Sequence, residues 1–192
     1  LGGDHLGPLT WTDLNEDEAM KTAVALVYDY VRAGFTKIHL DTSMRVADDS
    51  TTEMLSNETI ARRSAIMAKA SLEAYDELLK ENPDAIFPAL IIGSEVPIPG
   101  GAQEKEQTLA ITSPEDFKET YRVVKETFTE YGVEKVCDAV IGIVVQPGVE
   151  FGDEVLFQYN RENAKVLTAT LRDEFDSFVF EGHSTDYQTP EH

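Results

Sequence analysis

Polar side chains that can bind metals or move protons occur at the ends of apolar, strand-like segments of this sequence. Asp4 and His5 stand side by side in LGGDHLGP, and each later apolar segment also ends in a polar residue. Those residues are Asp41, Glu95, Gln146 and His183. Imidazole and carboxylate groups can hold a divalent metal, an amide is a weaker oxygen ligand, and a spare carboxylate can act as acid or base. If these strand ends converge, the sequence predicts a metal-dependent acid–base site.

Each of these residues also has a purely structural interpretation. A single histidine or aspartate at a strand end commonly caps a helix or completes a loop hydrogen bond. His39 lies two residues before Asp41 and therefore faces the same side of its strand. We interpret His39 as a satisfied core histidine rather than as a ligand. Convergence of the whole set would distinguish a functional site from separate structural residues.

Helical patterns separate the apolar segments. Asn15 and Glu18 can form a capping box, apolar residues then recur at helical spacing, and Gly34 supplies the C-terminal stop. A second helix is predicted from about Asn57 to Lys80, and a third begins at Ser113. Strands are predicted at 35–41, 86–95, 139–146 and 177–183, with a further helix around 164–171.

This alternation of strand and helix is typical of parallel α/β architecture. No glycine-rich dinucleotide fingerprint and no phosphate-cradling lysine loop is present, which argues against a doubly wound nucleotide-binding fold. The sequence therefore predicts a (β/α)8 TIM barrel, whose reacting groups lie at the C-terminal ends of the strands. Because such a barrel takes about 250 residues, we expect residues 1–192 to be a single partial TIM-barrel domain, truncated at both ends.

The composition narrows the class of partner. The chain carries 16 basic and 36 acidic side chains, a net charge of −20, and 42% hydrophobic residues. So acidic a chain lacks the basic patches that nucleic acids and anionic membranes require, and no apolar run approaches the about 20 residues of a membrane span. One cysteine favours a reducing compartment. We expect a cytoplasmic protein without nucleic-acid or membrane contacts.

Five long segments of the sequence carry a family resemblance. They are GGDHLGP (2–8), GFTKIHLDTSM (34–44), GSEVPIPGGA (93–102), VVQPGVEF (144–151) and FEGHSTDYQTP (180–190). These segments resemble the Z-subunit family of D-tagatose-1,6-bisphosphate aldolase, called the non-catalytic subunit. The resemblance implies a TIM barrel akin to class II aldolases, of which this chain is a central fragment from the end of strand 3 to the loop after strand 7.

The class II aldolase pattern also implies roles for individual residues. Asp4 corresponds to the catalytic acid/base and His5 to the first zinc ligand. His183 corresponds to a later zinc ligand and Glu95 to a strand-end glutamate. Catalytic aldolases have a third metal-binding histidine where this chain has Gln146, so an all-histidine zinc site is not expected.

The loop after His183 also departs from that pattern. It reads STDYQTP rather than a glycine-rich turn that presents backbone N–H groups to a phosphate. Bisphosphate binding at this face is therefore in doubt. The candidate substrate-binding residues in the matching segments are Ser184, Asp186 and Glu150.

Two functions follow from the resemblance. In the first, the chain is a subunit in galactitol or N-acetylgalactosamine breakdown that supports the activity and stability of a catalytic Y-type aldolase subunit within an oligomer. In the second, it resembles relatives that look like stand-alone ketohexose 4-epimerases. A small-molecule binding barrel without chemistry is a third alternative, which no feature favours. The subunit role comes first because it names the family that the motifs specify.

The epimerase alternative needs a metal and a proton shuttle. The reaction would be a retro-aldol cleavage followed by re-closure. A divalent cation, expected to be zinc, would polarise the C2 carbonyl of a ketose or ketose phosphate and stabilise the enediolate left when the C3–C4 bond opens. Asp4 or Asp41 would move the proton at the C4 hydroxyl, and re-closure of the C3–C4 bond on the other face would invert C4. The expected cation ligands are His5, Glu95, His183 and Gln146.

Overall fold

A computed structural model describes residues 1–53, 55–93, 111–147 and 161–181 of the chain. Strands and helices alternate along these residues. The strands are β1 (Gly2–Leu6), β2 (Lys37–Leu40), β3 (Ala89–Ile92), β4 (Val140–Val144) and β5 (Val179–Glu181). The helices are α1 (Glu16–Arg32), α2 (Asn57–Glu81), α3 (Pro114–Glu130) and α4 (Arg161–Glu174), with 3-10 turns at Pro8–Trp11 and Glu134–Ala139.

The helices begin and end where their local sequence predicts. Asn15 caps α1, because its Oδ1 accepts from the backbone N–H of Glu18 at 3.0 Å. Gly34 follows the helix with a φ of 81°, a conformation that glycine adopts without strain. Ser113 caps α3 in the same way as Asn15 caps α1. No helix in the described ranges has the length and apolar content that crossing a membrane would need.

The five described strands form one parallel sheet in the order β1-β2-β3-β4-β5. Strands that are consecutive in the chain are neighbours in the sheet, and α1, α2, α3 and α4 lie in the connections between them. This is the arrangement of one sector of a (β/α)8 barrel. The predicted α/β class with consecutive parallel strands is confirmed, whereas the single truncated domain over residues 1–192 stays a prediction.

The sheet has one apolar face that packs on the helices. The strand residues on this face are almost completely buried: Ile38, Leu40, Leu90, Ile92 and Ile143. They belong to one core with helix residues such as Val27, Ala65 and Phe117. Because side chains alternate along a strand, Lys37 and His39 lie on the opposite face.

Contacts across that opposite face show how strongly the sheet curves. Register pairs place His39 level with Val179 through Ile91 and Gly142. Lys37, two residues earlier, contacts Glu181, two residues after Val179, at 3.0 Å. On a flat sheet, β2 and β5 would be about 14 Å apart, and four residues add about 13 Å along the strands. Curvature and strand tilt, as in a barrel, bring the two side chains together.

The loop after β2 is fastened to the helices by a buried arginine. Arg63 of α2 is completely buried, and its guanidinium contacts Glu16 at 2.8 Å, Asp49 at 2.8 Å and the carbonyl of Met44 at 3.2 Å. Glu16 also pairs with Arg62. These contacts hold the segment that follows Asp41, which belongs to the polar cluster described below.

Stability is expected to depend on pH through Glu16. The hydrogen bond from Arg62, opposed by burial and reinforced by Arg63, lowers the pKa of Glu16 from 4.5 to about 2. A lowered folded-state pKa contributes stability above pH 4.5 that is lost as the pH falls towards 2. Glu16→Gln should therefore destabilise the intact protein by about 2–3 kcal/mol at pH 7 and by much less at pH 3.

Urea unfolding at both pH values measures this difference. Glu73→Gln, at an exposed position on α2, is the control and should change stability little at either pH. If Glu16→Gln and Glu73→Gln show the same pH dependence, the assignment to the arginine pairs is wrong.

Candidate functional site

The end of β1 contains an irregularity that places two adjacent side chains at one site. Gly3 pairs with Ile38 and Leu6 with Leu40, so Asp4 and His5 together stand opposite the single residue His39. Two residues opposite one is a β-bulge. His5 has a φ of 49°, which a non-glycine residue adopts at some cost. In a regular strand Asp4 and His5 would point to opposite faces, but here both contact the polar side chains of β2 and its C-terminal end.

His5 is oriented by Asp41. Nδ1 of His5 lies 3.0 Å from Oδ2 of Asp41, while Oδ1 of Asp41 accepts from the hydroxyl of Ser43 at 2.7 Å and from its N–H at 3.2 Å. Burial opposes ionisation of Asp41, but the bonds from His5 and Ser43 outweigh it and hold the pKa of Asp41 below its ordinary value. An ionised carboxylate only accepts, so Nδ1 of His5 donates. Asp41 thus positions the imidazole.

Asp4 faces the solvent side of the cluster. Its side chain is 55% exposed, and its Oδ1 lies 3.1 Å from both Nζ of Lys37 and Nδ1 of His39. Partial burial opposes ionisation, but Lys37 and His39 lower the pKa of Asp4 well below its ordinary value. Asp4 is therefore an ionised carboxylate with one face available.

His39 is part of the cluster, contrary to its interpretation as a satisfied core histidine. It is 1% exposed, so the expected burial is present. Nδ1 contacts Asp4 at 3.1 Å and Glu181 at 3.3 Å, but Nε2 is buried and has no hydrogen-bond partner among the described residues. Burial lowers the pKa of His39, which favours the neutral ring at pH 7.

Sequence reasoning missed Lys37 and Glu181. Nζ of Lys37 contacts Asp4 at 3.1 Å and Glu181 at 3.0 Å. Burial opposes the charge of Lys37, but the two carboxylates raise the pKa of its ammonium above the ordinary value. The alternation Lys37, His39, Asp41 was visible in the sequence and indicated one shared face. The contact with Glu181 depends on sheet curvature and left no local signal.

The described residues fit a divalent cation. One possible ligand atom from each of Asp4, His5 and His39 lies within 4.8 Å of the others. With both imidazoles counted as neutral, the carboxylates of Asp4, Asp41 and Glu181 and the ammonium of Lys37 leave an excess of two negative charges. The buried, unpartnered Nε2 of His39 is a further donor atom of the right chemistry.

The other predicted site residues are distributed as follows. Gln146 follows β4, where its backbone N–H donates to Oγ1 of Thr112 at 2.8 Å and its carbonyl accepts from the N–H of Thr112 at 3.0 Å. Five predicted residues lie outside the described ranges and stay predictions: Glu95, Glu150, His183, Ser184 and Asp186. The structure thus brings together Asp4, His5 and Asp41 from the predicted set.

The sequence and the fold both have close relatives. The chain is 43% identical over 189 residues to D-tagatose-1,6-bisphosphate aldolase subunit GatZ of Escherichia coli O1:K1 / APEC, which covers 98% of this chain and 43% of that protein. GatZ of E. coli strain SMS-3-5 is 42% identical over the same length. The chain spans less than half the length of these curated relatives.

A solved structure has the same fold. The crystal structure of a probable tagatose 6 phosphate kinase from Sinorhizobium meliloti 1021 matches with a TM-score of 0.79 and 44% identity, over 100% of this chain and 42% of that chain. The family of D-tagatose-1,6-bisphosphate aldolase subunit GatZ/KbaZ-like proteins matches residues 1–192. The chain belongs to this GatZ/KbaZ-like family.

Proposed function

We propose that the intact protein is a subunit of D-tagatose-1,6-bisphosphate aldolase that supports the activity and stability of a catalytic Y-type subunit in carbohydrate catabolism. The observation that carries this proposal is the 43% identity to GatZ subunits over 98% of the chain. Galactitol and N-acetylgalactosamine breakdown are the pathways that the resemblance implies.

Co-expression with a Y-type subunit tests the subunit role. The intact protein is expected to co-purify with its partner and to increase both the rate of tagatose 1,6-bisphosphate cleavage and the thermal stability of the partner. The partner alone and the intact protein alone are the two controls. If the partner is equally active and equally stable without this protein, the subunit role is wrong.

A second candidate function is a stand-alone, metal-dependent ketohexose 4-epimerase. The observation that favours it is the cluster of Asp4, His5 and His39, which has the donor atoms and the charge for a divalent cation. Bound Zn²⁺ would supply Lewis-acid polarisation of the ketose carbonyl. The imidazole of His5, oriented by Asp41, would bind the Zn²⁺. The remaining proposed ligands are Glu95, His183 and Gln146.

The geometry separates the roles of the two aspartates in this reaction. Asp4 has an exposed carboxylate that can reach a substrate hydroxyl, so it is the proposed acid/base at the C4 hydroxyl. Asp41 is 3% exposed and both of its oxygens are bonded to His5 or Ser43. It therefore acts by orienting His5 rather than by contacting substrate.

Turnover by the intact protein alone tests the epimerase. Tagatose or fructose is incubated with the protein, with and without a chelator, and the C4 epimer is assayed. Asp4→Asn should abolish turnover while the protein remains folded. Epimer formation that persists in the chelator would contradict the metal-dependent mechanism.

The solved relative is named as a probable tagatose 6 phosphate kinase, but we do not propose phosphoryl transfer for this protein. The sequence contains no glycine-rich loop followed by lysine that could cradle nucleotide phosphates.

A further inference from the structure

We propose that His39 binds a divalent transition-metal ion directly, through Nε2, and that Asp4, Glu181 and Lys37 hold its ring in the orientation for doing so. The inference extends the metal site of the second candidate function. It rests on that proposed function for the purpose that the metal would serve. It adds an imidazole to which the aldolase pattern assigns no role.

The hydrogen bonds of His39 determine which ring nitrogen is available. Nδ1 lies 3.1 Å from a carboxylate oxygen of Asp4 and 3.3 Å from one of Glu181. An ionised carboxylate has no proton to donate, so Nδ1 must carry the ring proton. In the neutral ring Nε2 then carries a lone pair, which is the form that binds a metal.

Burial makes that lone pair unusual. His39 is 1% exposed, and Nε2 makes no hydrogen bond with any described residue. A buried polar atom without a partner has lost its hydrogen bonds to water and gained none in return, which destabilises the fold. A role in packing alone would leave this loss uncompensated. A cation bound at Nε2 would compensate it.

His5 repeats the same construction beside it. Its Nδ1 donates to Asp41 at 3.0 Å, and its ring centroid lies 4.9 Å from that of His39. Metal-binding histidines commonly donate their second ring N–H to a carboxylate, which fixes the tautomer and the ring orientation. Two neighbouring imidazoles oriented in this way favour zinc, cobalt, nickel or copper over magnesium or calcium.

Lys37 explains how two carboxylates can share one ring nitrogen. Asp4 and Glu181 are both negative and both approach Nδ1 of His39, so they repel each other. The Lys37 ammonium contacts Asp4 at 3.1 Å and Glu181 at 3.0 Å and compensates this repulsion. Lys37 is therefore a positioning residue that acts on the metal site through the two carboxylates.

Cobalt titration of the intact, metal-stripped protein tests the proposal. The visible absorption of bound Co²⁺ reports the number and type of its ligands. His39→Leu should weaken Co²⁺ binding at least about 100-fold and alter the spectrum, since even residues outside a ligand set change affinity 10–100-fold. Ile91→Val, in register with His39 on the same face, is the matched control and should leave both unchanged.

The lysine has its own variants. Lys37→Met should weaken Co²⁺ binding about tenfold without removing the spectrum of a nitrogen-ligated site, and Lys37→Arg should recover most of the affinity. If Lys37→Met binds Co²⁺ as tightly as the unaltered protein, the positioning role is wrong.

A measurement on the unaltered protein tests the proposal even if the variants fail to fold. With ¹⁵N-labelled histidine, saturation with ¹¹³Cd²⁺ should shift or split the Nε2 resonance of His39. An unchanged resonance at saturation, or equal Co²⁺ affinity of a folded His39→Leu variant, would overturn the proposal. Neither readout needs turnover or a partner subunit. A protein that binds cadmium through His39 but does not epimerise sugars would contradict the candidate function and support the metal site.

Discussion

Gly7→Ala is expected to separate β1 from the end of β2 and to destroy the candidate site. A Cβ on Gly7 would lie 1.6 Å from the carbonyl oxygen of Asp41. The backbone on both sides of this contact is already fixed, because the N–H of Asp41 donates to the carbonyl of Leu6. The φ of Gly7 is 178°, an extended value open to any residue, so the requirement is for space. We expect a loss of about 3 kcal/mol or more in the free energy of unfolding.

Gly7→Ala should weaken Co²⁺ binding at the candidate site as severely as it destabilises the fold. Because His5 reaches Asp41 across this contact, moving the strands apart breaks the bond that orients the His5 ring. Urea unfolding and Co²⁺ titration of the intact protein measure the two losses. Gly34→Ala is the control: its φ is 81° but nothing lies within 4 Å, so it should cost only about 1–2 kcal/mol and spare the site. Equal effects of the two substitutions would contradict the argument.

Arg63→Leu is the second substitution with a large expected effect. The guanidinium is completely buried between Glu16 and Asp49, so its loss leaves carboxylates facing each other without a cation. Removing one partner of a buried ion pair costs about 3–5 kcal/mol. The loop that follows Asp41 should also loosen, because Arg63 holds the carbonyl of Met44.

The control for Arg63 is a solvent-exposed arginine whose ion pairs are at least as short as those of Arg63. Arg122 contacts Glu119 and Glu126 at 2.6 Å but is 52% exposed. Arg122→Leu should therefore cost no more than about 1 kcal/mol. Thermal and urea unfolding of both variants decide the matter. If Arg122→Leu destabilises the protein as much as Arg63→Leu, burial is not the source of the effect.

Local signals predicted the helices and the order of the strands. Asn15 and Ser113 carry the side-chain oxygens that cap α1 and α3, and Gly34 supplies the conformation that ends the first of these helices. The second helix was predicted from 57 to 80 and is observed as Asn57–Glu81. Such features depend on residues within one or two turns of each other, so they can be read from sequence.

The composition of the candidate site was less predictable because it depends on non-local geometry. Strand ends pointed to Asp4, His5 and Asp41, but strict alternation would have placed Asp4 and His5 on opposite faces. The bulge that unites them has no sequence signature here, since His5 occupies the positive φ. The burial of Arg63 was equally hidden, because an arginine on a helix is most simply assigned to solvent.

The contact between Lys37 and Glu181 has a consequence for how the protein is made. The two residues are 144 positions apart in the chain. At about 5–20 residues per second, a ribosome needs about 7–30 s to pass from one to the other. Throughout that time the nascent chain already holds both imidazoles of the cluster, but not the second carboxylate that holds His39. At the proposed metal site, capture of a metal with full affinity therefore has to wait until β5 has been made.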